Sequence, residues 1–145
     1  MNYKLLLLAT VTLLFVACGQ KATTEKTAEH ETLENGVEVL YFHGKQRCVT
    51  CNAIERLTRE VIEENFAKEL KNGTIVFHVI DISQPENEAI ADKYEVAFSS
   101  LFVTKWINGV SIKTNMTDFA FSYAKNQPEA FKKGLKEKLD EVLNE

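Results

Sequence analysis

Residues 37–66, VEVLYFHGKQRCVTCNAIERLTREVIEENF, decide how the rest of the chain is read. The opening run Val37, Val39, Leu40, Tyr41, Phe42 is apolar and β-rich, as in a buried strand. Gly44, Lys45, Gln46 and Arg47 make a short basic turn. From Cys48 onward Ile54, Leu57, Val61, Ile62, Phe66 and Leu70 recur every three or four residues, the spacing of an amphipathic helix. Cys48-Val49-Thr50-Cys51 therefore falls on the first turn of that helix.

A helix N-terminus has unpaired amide groups and the positive end of the helix dipole, and both favour a thiolate. A three-residue offset places the two sulfurs one turn apart on nearly one face, where a disulfide can close. Lys45 and Arg47 add positive potential and lower the pKa of Cys48 further. These features point to a redox-active dithiol with Cys48 attacking and Cys51 resolving. Spacing alone leaves two other readings open: half of a zinc site, or an accidental pair.

The full sequence of 145 residues has room for one domain. It is 45% hydrophobic and 26% charged with a formal charge of −4, and it has no basic block, which argues against a nucleic-acid partner. Lys4, followed by Leu5 to Leu8 and Val11 to Val16, reads as a signal peptide over residues 1–17, with an apolar core too short to span a bilayer comfortably. Phe15-Val16-Ala17-Cys18 resembles the bacterial lipobox, which implies a lipid on Cys18. The protein is then expected in the bacterial cell envelope, tethered to a membrane with its domain in the periplasm or at the cell surface. A plain secretory signal would instead leave Cys18 as a spare thiol.

Residues 19–35 are polar and lack periodicity, so 18–35 reads as a lipidated N-terminus and flexible tether with a reach of about 20–25 Å; His30 there is solvated. With Cys18 lipidated, only Cys48 and Cys51 of the three cysteines stay free. That favours a dithiol couple over a structural zinc site, which wants four ligands. The folded domain is 36–145.

Within it, the first helix should run to Asn72-Gly73, followed by a strand over 74–82 covered on both faces. Pro85-Glu86 opens a short helix through Tyr94, and a strand from Leu101 to Ile107 turns at Asn108-Gly109 into a partner over 110–114. Pro128-Glu129 starts a last helix with Phe131, Leu135, Leu139 and Val142 on one face.

In this β-α-β-α-β-β-α order the chain resembles the thioredoxin fold from about Val37 to the C-terminus. Three features carry the resemblance: Cys48-Val49-Thr50-Cys51 after the first strand, Asp81-Ile82 followed by Glu88 to Tyr94 and Val96, and the Trp106-Ile107-Asn108-Gly109 hairpin before a last helix. The resemblance implies a three-layer α/β fold: a mixed four-stranded sheet with helices on both faces. It also implies a thiol-disulfide oxidoreductase with Cys48 exposed and Cys51 partly buried, needing no cofactor. Its partners would be proteins carrying disulfides and a membrane thiol electron donor.

Several family features are replaced. Arg47 stands where thioredoxins have Trp, and Val49-Thr50 where they have Gly-Pro. Phe98-Ser99-Ser100-Leu101 holds no proline at the place of the family's cis-proline, and Ser100 is the first candidate for that position with Ser99 second. Phe42 occupies the place of the buried acid. His43 is the nearest titratable group and could take a proton from Cys51, or could end the strand with a local hydrogen bond. The same departures suit an alternative, a soft-metal module holding Cu(I) or Zn through Cys48, Cys51 and His43. His78 reads as a packed or edge histidine rather than a ligand, and Trp106 as a core residue. Phe119, Phe121 and Tyr123 alternate within 117–127, which suggests an extra edge strand, or else an aromatic docking surface.

Overall fold

The computed structural model describes residues 33–145. The proposed signal peptide, Cys18, His30 and most of the tether lie outside them.

The elements follow in the order β1 (Gly36–His43), α1 (Val49–Asn65), α2 (Ala67–Lys71), β2 (Ile75–Asp81), a single 3-10 turn (Pro85–Asn87), α3 (Glu88–Lys93), β3 (Ser100–Ile107), β4 (Val110–Asn115), α4 (Thr117–Tyr123) and α5 (Pro128–Asn144). The sheet order is β2-β1-β3-β4, with β1 parallel to β2 and antiparallel to β3, and β4 antiparallel to β3. This is the expected mixed four-stranded sheet with helices on both faces.

Strand β1 is central, and every residue from Val37 to Phe42 is buried. Its odd positions Val37, Val39 and Tyr41 pack with Ile54, Leu57, Val61, Leu135 and Leu139 under α1 and α5. Its even positions Leu40 and Phe42 pack with Ile90, Tyr94 and Phe102 under α3. Two apolar layers, one on each face, follow from the period-two alternation of a strand.

Three expectations need correction. The first helix does not run unbroken to Asn72: it ends at Phe66, which leaves helical geometry (φ −130°, ψ 29°) as its ring enters the core. The α2 turn beyond it buries nothing, and Leu70 is exposed. Strand β2 is not covered on both faces, because it sits at the sheet edge and Val76 to Val79 are only half-buried.

No extra edge strand forms over 117–123; that segment is α4. Phe119 and Tyr123, one helical turn apart, lie on one side with ring centroids 5.1 Å from each other, and Phe119 stacks on Phe131 of α5. Phe121 points outward, so the three aromatics do not share a face. A helix also answers the burial of Ala120 and Ala124 between them.

The hairpin turn shows why Asn-Gly is placed there. Asn108 and Gly109 both take positive φ, 50° and 75°, as a two-residue turn compatible with strand twist requires.

Gly134 on α5 tests the α4 packing. A Cβ at that position would stand 2.5 Å from Cζ of Phe119, whose ring is already wedged against Phe131 and Tyr123. Alanine normally gains up to ~1 kcal/mol over glycine inside a helix, while overpacking costs about 1–3 kcal/mol. Gly134→Ala is expected to lower stability in urea denaturation by about 1 kcal/mol; a gain would show that α4 does not press on α5 as described.

Candidate redox site

The C-terminal ends of the parallel strands β1 and β2, together with the start of β3, form one end of the sheet. His43 pairs with Asp81, and Ile82 donates its amide to the His43 carbonyl at 2.9 Å. Ligand and reaction sites of parallel α/β sheets lie at such ends. The chain leaves β1 there, passes through Gly44 to Arg47, and enters α1.

Cys48 is the N-cap of α1, in extended geometry (φ −77°, ψ 167°), and its sulfur accepts the Cys51 amide at 3.1 Å. A sulfur in that role is where the unpaired first-turn amides and the helix dipole act. Cys48 and Cys51 form a disulfide with Cα atoms 5.0 Å apart. Cys48 is exposed and Cys51 is buried at 6%. An incoming thiolate or disulfide can therefore meet Cys48 and not Cys51.

Tyr41 supports the pair from below. Its phenol donates to the Cys51 carbonyl at 2.8 Å. Burial pushes that phenol above its ordinary pKa, against the pull of the Ser99 hydroxyl and Arg47. The Arg47 guanidinium lies over the Tyr41 ring, 5.7 Å from its centroid, and its Nη2 pairs with Glu55 of α1. Burial alone would raise the Glu55 carboxyl, but hydrogen bonds from Arg47 and Arg59 hold it below the usual range.

The expected site residues thus separate. Lys45 is exposed in the turn. Arg47 is folded back onto Glu55 and Tyr41 and does not stand as a free cation. His43 places Nδ1 3.0 Å from the Gly44 carbonyl oxygen and its ring 6.1 Å from Tyr41, which is the local arrangement. Among the described residues no three His, Cys, Asp or Glu side chains are grouped to hold a metal ion, so the trio Cys48, Cys51 and His43 is not assembled.

Ser100 pairs with Phe42, and its hydroxyl bonds back to the Phe98 carbonyl at 2.9 Å. Pleating turns it to the α3 face with Phe42 and Phe102, away from α1. Ser99, one residue earlier, is the serine that reaches Tyr41 beneath the disulfide.

Phe42, at the place of the family's buried acid, belongs to an aromatic cluster, 5.4 Å from Tyr94 and 6.0 Å from Phe102 between centroids. A buried acid does exist on that strand. Glu38 accepts from Trp106 Nε1 at 3.1 Å and from the Tyr94 hydroxyl at 3.3 Å, and its other oxygen lies 3.5 Å from His78 Nε2. It lies four residues before Phe42, about 13 Å back along the strand, too far to exchange a proton with Cys51.

Two exposed apolar side chains mark this end of the molecule: Val49 between the cysteines, 72% exposed, and Phe98 ahead of β3, 67% exposed. On the α3 face Phe98 borders a cleft of about 600 Å³ floored by Tyr94 and Phe102, with Ser100, Asn115 and Lys113 on its walls.

Tyr41 and Glu55 were not singled out from the sequence as site residues. The signal for Glu55 was present: Cys48, Asn52, Glu55 and Arg59 follow one another at helical spacing along one line of α1.

The topology and the dithiol on the first turn of α1 define a thioredoxin-like α/β fold. Among solved structures, the zinc-bound form of human ERp44 matches with a TM-score of 0.50 at 19% identity, over 74% of this chain and 27% of that one. The chain thus spans about a quarter of ERp44. Oxidized mitochondrial thioredoxin 3 from Saccharomyces cerevisiae matches with a TM-score of 0.43 at 20% identity, over 72% of this chain and 80% of that one. A thioredoxin from Thermus thermophilus matches with 0.44 at 15%, over 71% and 73%. No family model and no curated protein matches the chain.

The Glu55 pairing has a pH signature. A carboxylate held below its unfolded pKa of about 4.3 stabilises the fold above that pH, and the contribution is lost as pH falls through the folded value. Glu55→Gln is expected to be about 1 kcal/mol less stable than wild type at pH 7 and to converge on it in acid. Urea denaturation across that range measures the difference; a gap that persists at pH 3 would contradict the pairing.

Proposed function

We propose that this chain is a thiol-disulfide oxidoreductase of the bacterial cell envelope, anchored through lipid on Cys18, that acts on partner proteins through the Cys48/Cys51 couple. The observation that carries the reading is the Cys48–Cys51 disulfide, with its exposed sulfur at a helix N-cap and its second sulfur shielded.

In the reducing direction the Cys48 thiolate attacks one sulfur of a substrate disulfide. A mixed disulfide forms and the other substrate sulfur leaves as a thiolate, which takes a proton from solvent. Cys51, deprotonated, then attacks Cys48 Sγ, closes the internal disulfide and releases the second substrate thiolate. Two electrons pass from the Cys48/Cys51 couple to the substrate, and the protons that complete its two thiols are exchanged through solvent. A membrane protein dithiol reverses the exchange and restores Cys48 and Cys51, and oxidation of substrates runs the same steps backwards.

The chain's own residues serve these steps by placement. The first-turn amides of α1 favour charge on Cys48 Sγ. Tyr41 fixes the Cys51 carbonyl, and so the turn that carries Cys51, within reach of Cys48. Val49 and Phe98 offer apolar contact to a polypeptide brought to the disulfide. Among the described residues no helix is long and apolar enough to cross a membrane; attachment in this reading is assigned to lipid on Cys18.

Cys51→Ala should accumulate mixed disulfides through Cys48 in cells, visible as reductant-sensitive adducts, and Cys48→Ala/Cys51→Ala should show none. Failure of Cys51→Ala to trap any protein would count against the reading. Stoichiometric metal retained by the reduced chain, and lost on changing either cysteine to serine, would replace it with the metal module.

A further inference from the structure

We infer that Glu55 is a positioning residue that sets the redox poise of the Cys48/Cys51 couple by pairing with Arg47, the neighbour of Cys48, and neutralising its charge. The inference rests on the redox reading of the couple and deepens it.

An arginine immediately before an N-cap cysteine is placed to add to the positive potential of the helix end. In this structure it does not stand free. Its guanidinium is paired with Glu55 and laid over the Tyr41 ring, while its Nε is buried without a hydrogen-bond partner among the described residues. The carboxylate is therefore the group that balances its charge, while Tyr41 packs beneath it. Glu55 itself is fixed from a second side by Arg59 at 3.3 Å. It reaches Arg47 because residues 48, 52, 55 and 59 lie along one line of α1, next to the turn from which Arg47 comes.

The consequence follows from charge. The disulfide is neutral, whereas the reduced form can carry a thiolate at Cys48, so positive potential there stabilises the dithiol and makes the couple more oxidising. A carboxylate that neutralises Arg47 does the reverse. Glu55 shifts the couple toward the reducing side without touching either sulfur.

The test is the exchange constant of the full chain with glutathione at pH 7, in detergent, read by mass spectrometry on the peptide that contains Cys48 and Cys51. Glu55→Gln should favour the dithiol by about tenfold, or ~30 mV more positive for a two-electron couple. Arg47→Gln should move the constant the other way. In the Arg47→Gln background, Glu55→Gln should have at most a third of its effect in wild type. Glu55→Asp, which keeps the carboxylate, should stay within twofold of wild type and serves as the folded control.

A change under twofold in Glu55→Gln, a change of opposite sign, or an equal change with and without Arg47 would overturn the inference while the couple itself stands. Failure of wild-type Cys48 and Cys51 to pair at any glutathione ratio would instead overturn the redox reading, and the inference with it.

Discussion

Everything at the reactive end of this molecule depends on the double pairing of β1. With β2 on one edge and β3 on the other, its backbone is fully hydrogen-bonded and its side chains are buried above and below. A strand so fixed delivers the following residues to one place. The turn 44–47 is too short to wander, and Cys48 arrives at the N-terminus of α1 with its sulfur on the Cys51 amide. The helix is held in turn by Ile54, Leu57, Val61 and Ile62 against the odd positions of the same strand. Tyr41 completes the connection: one side chain of β1 packs in the core and bonds the backbone of the buried cysteine.

The two faces of the sheet divide their tasks. The face under α1 and α5 carries the larger core and the dithiol. The face under α3 carries the aromatic cluster of Phe42, Tyr94 and Phe102, the Glu38 network, and the cleft beside Phe98. A carboxylate buried beside Trp106 and Tyr94 tolerates desolvation only because donors surround it. The Tyr94 phenol is pushed above its ordinary pKa by burial and by that carboxylate, so it remains a donor throughout the neutral range. This network organises the far half of the sheet.

The sequence made some of this legible and concealed the rest for physical reasons. β1, the start of the helix at Cys48, the Asn108-Gly109 turn and α5 all have signals within a few residues, and each formed where expected. The segment 117–123 did not, because Phe119, Phe121 and Tyr123 satisfy period two while Phe119, Ala120, Tyr123 and Ala124 satisfy the helical period; contact with Phe131 on a distant helix decides it. The edge position of β2 is a property of strand order, which no local run of Ile, Val and Phe encodes. Glu38 finds its donors 56 and 68 residues away, and strand alternation alone could not announce them. At the site, the two cysteines were readable from their spacing. Arg47 was legible as a charge but not as a paired one, since its partner is brought to it by the turn.

The most direct test of this account is to reduce the full chain and ask which sulfur reacts, by brief alkylation at neutral pH with mass-spectrometric assignment of the label. The account predicts that Cys48 is labelled first and that Cys51 remains protected until the fold is opened by denaturant. Equal labelling of both, or Cys51 ahead of Cys48, would contradict it.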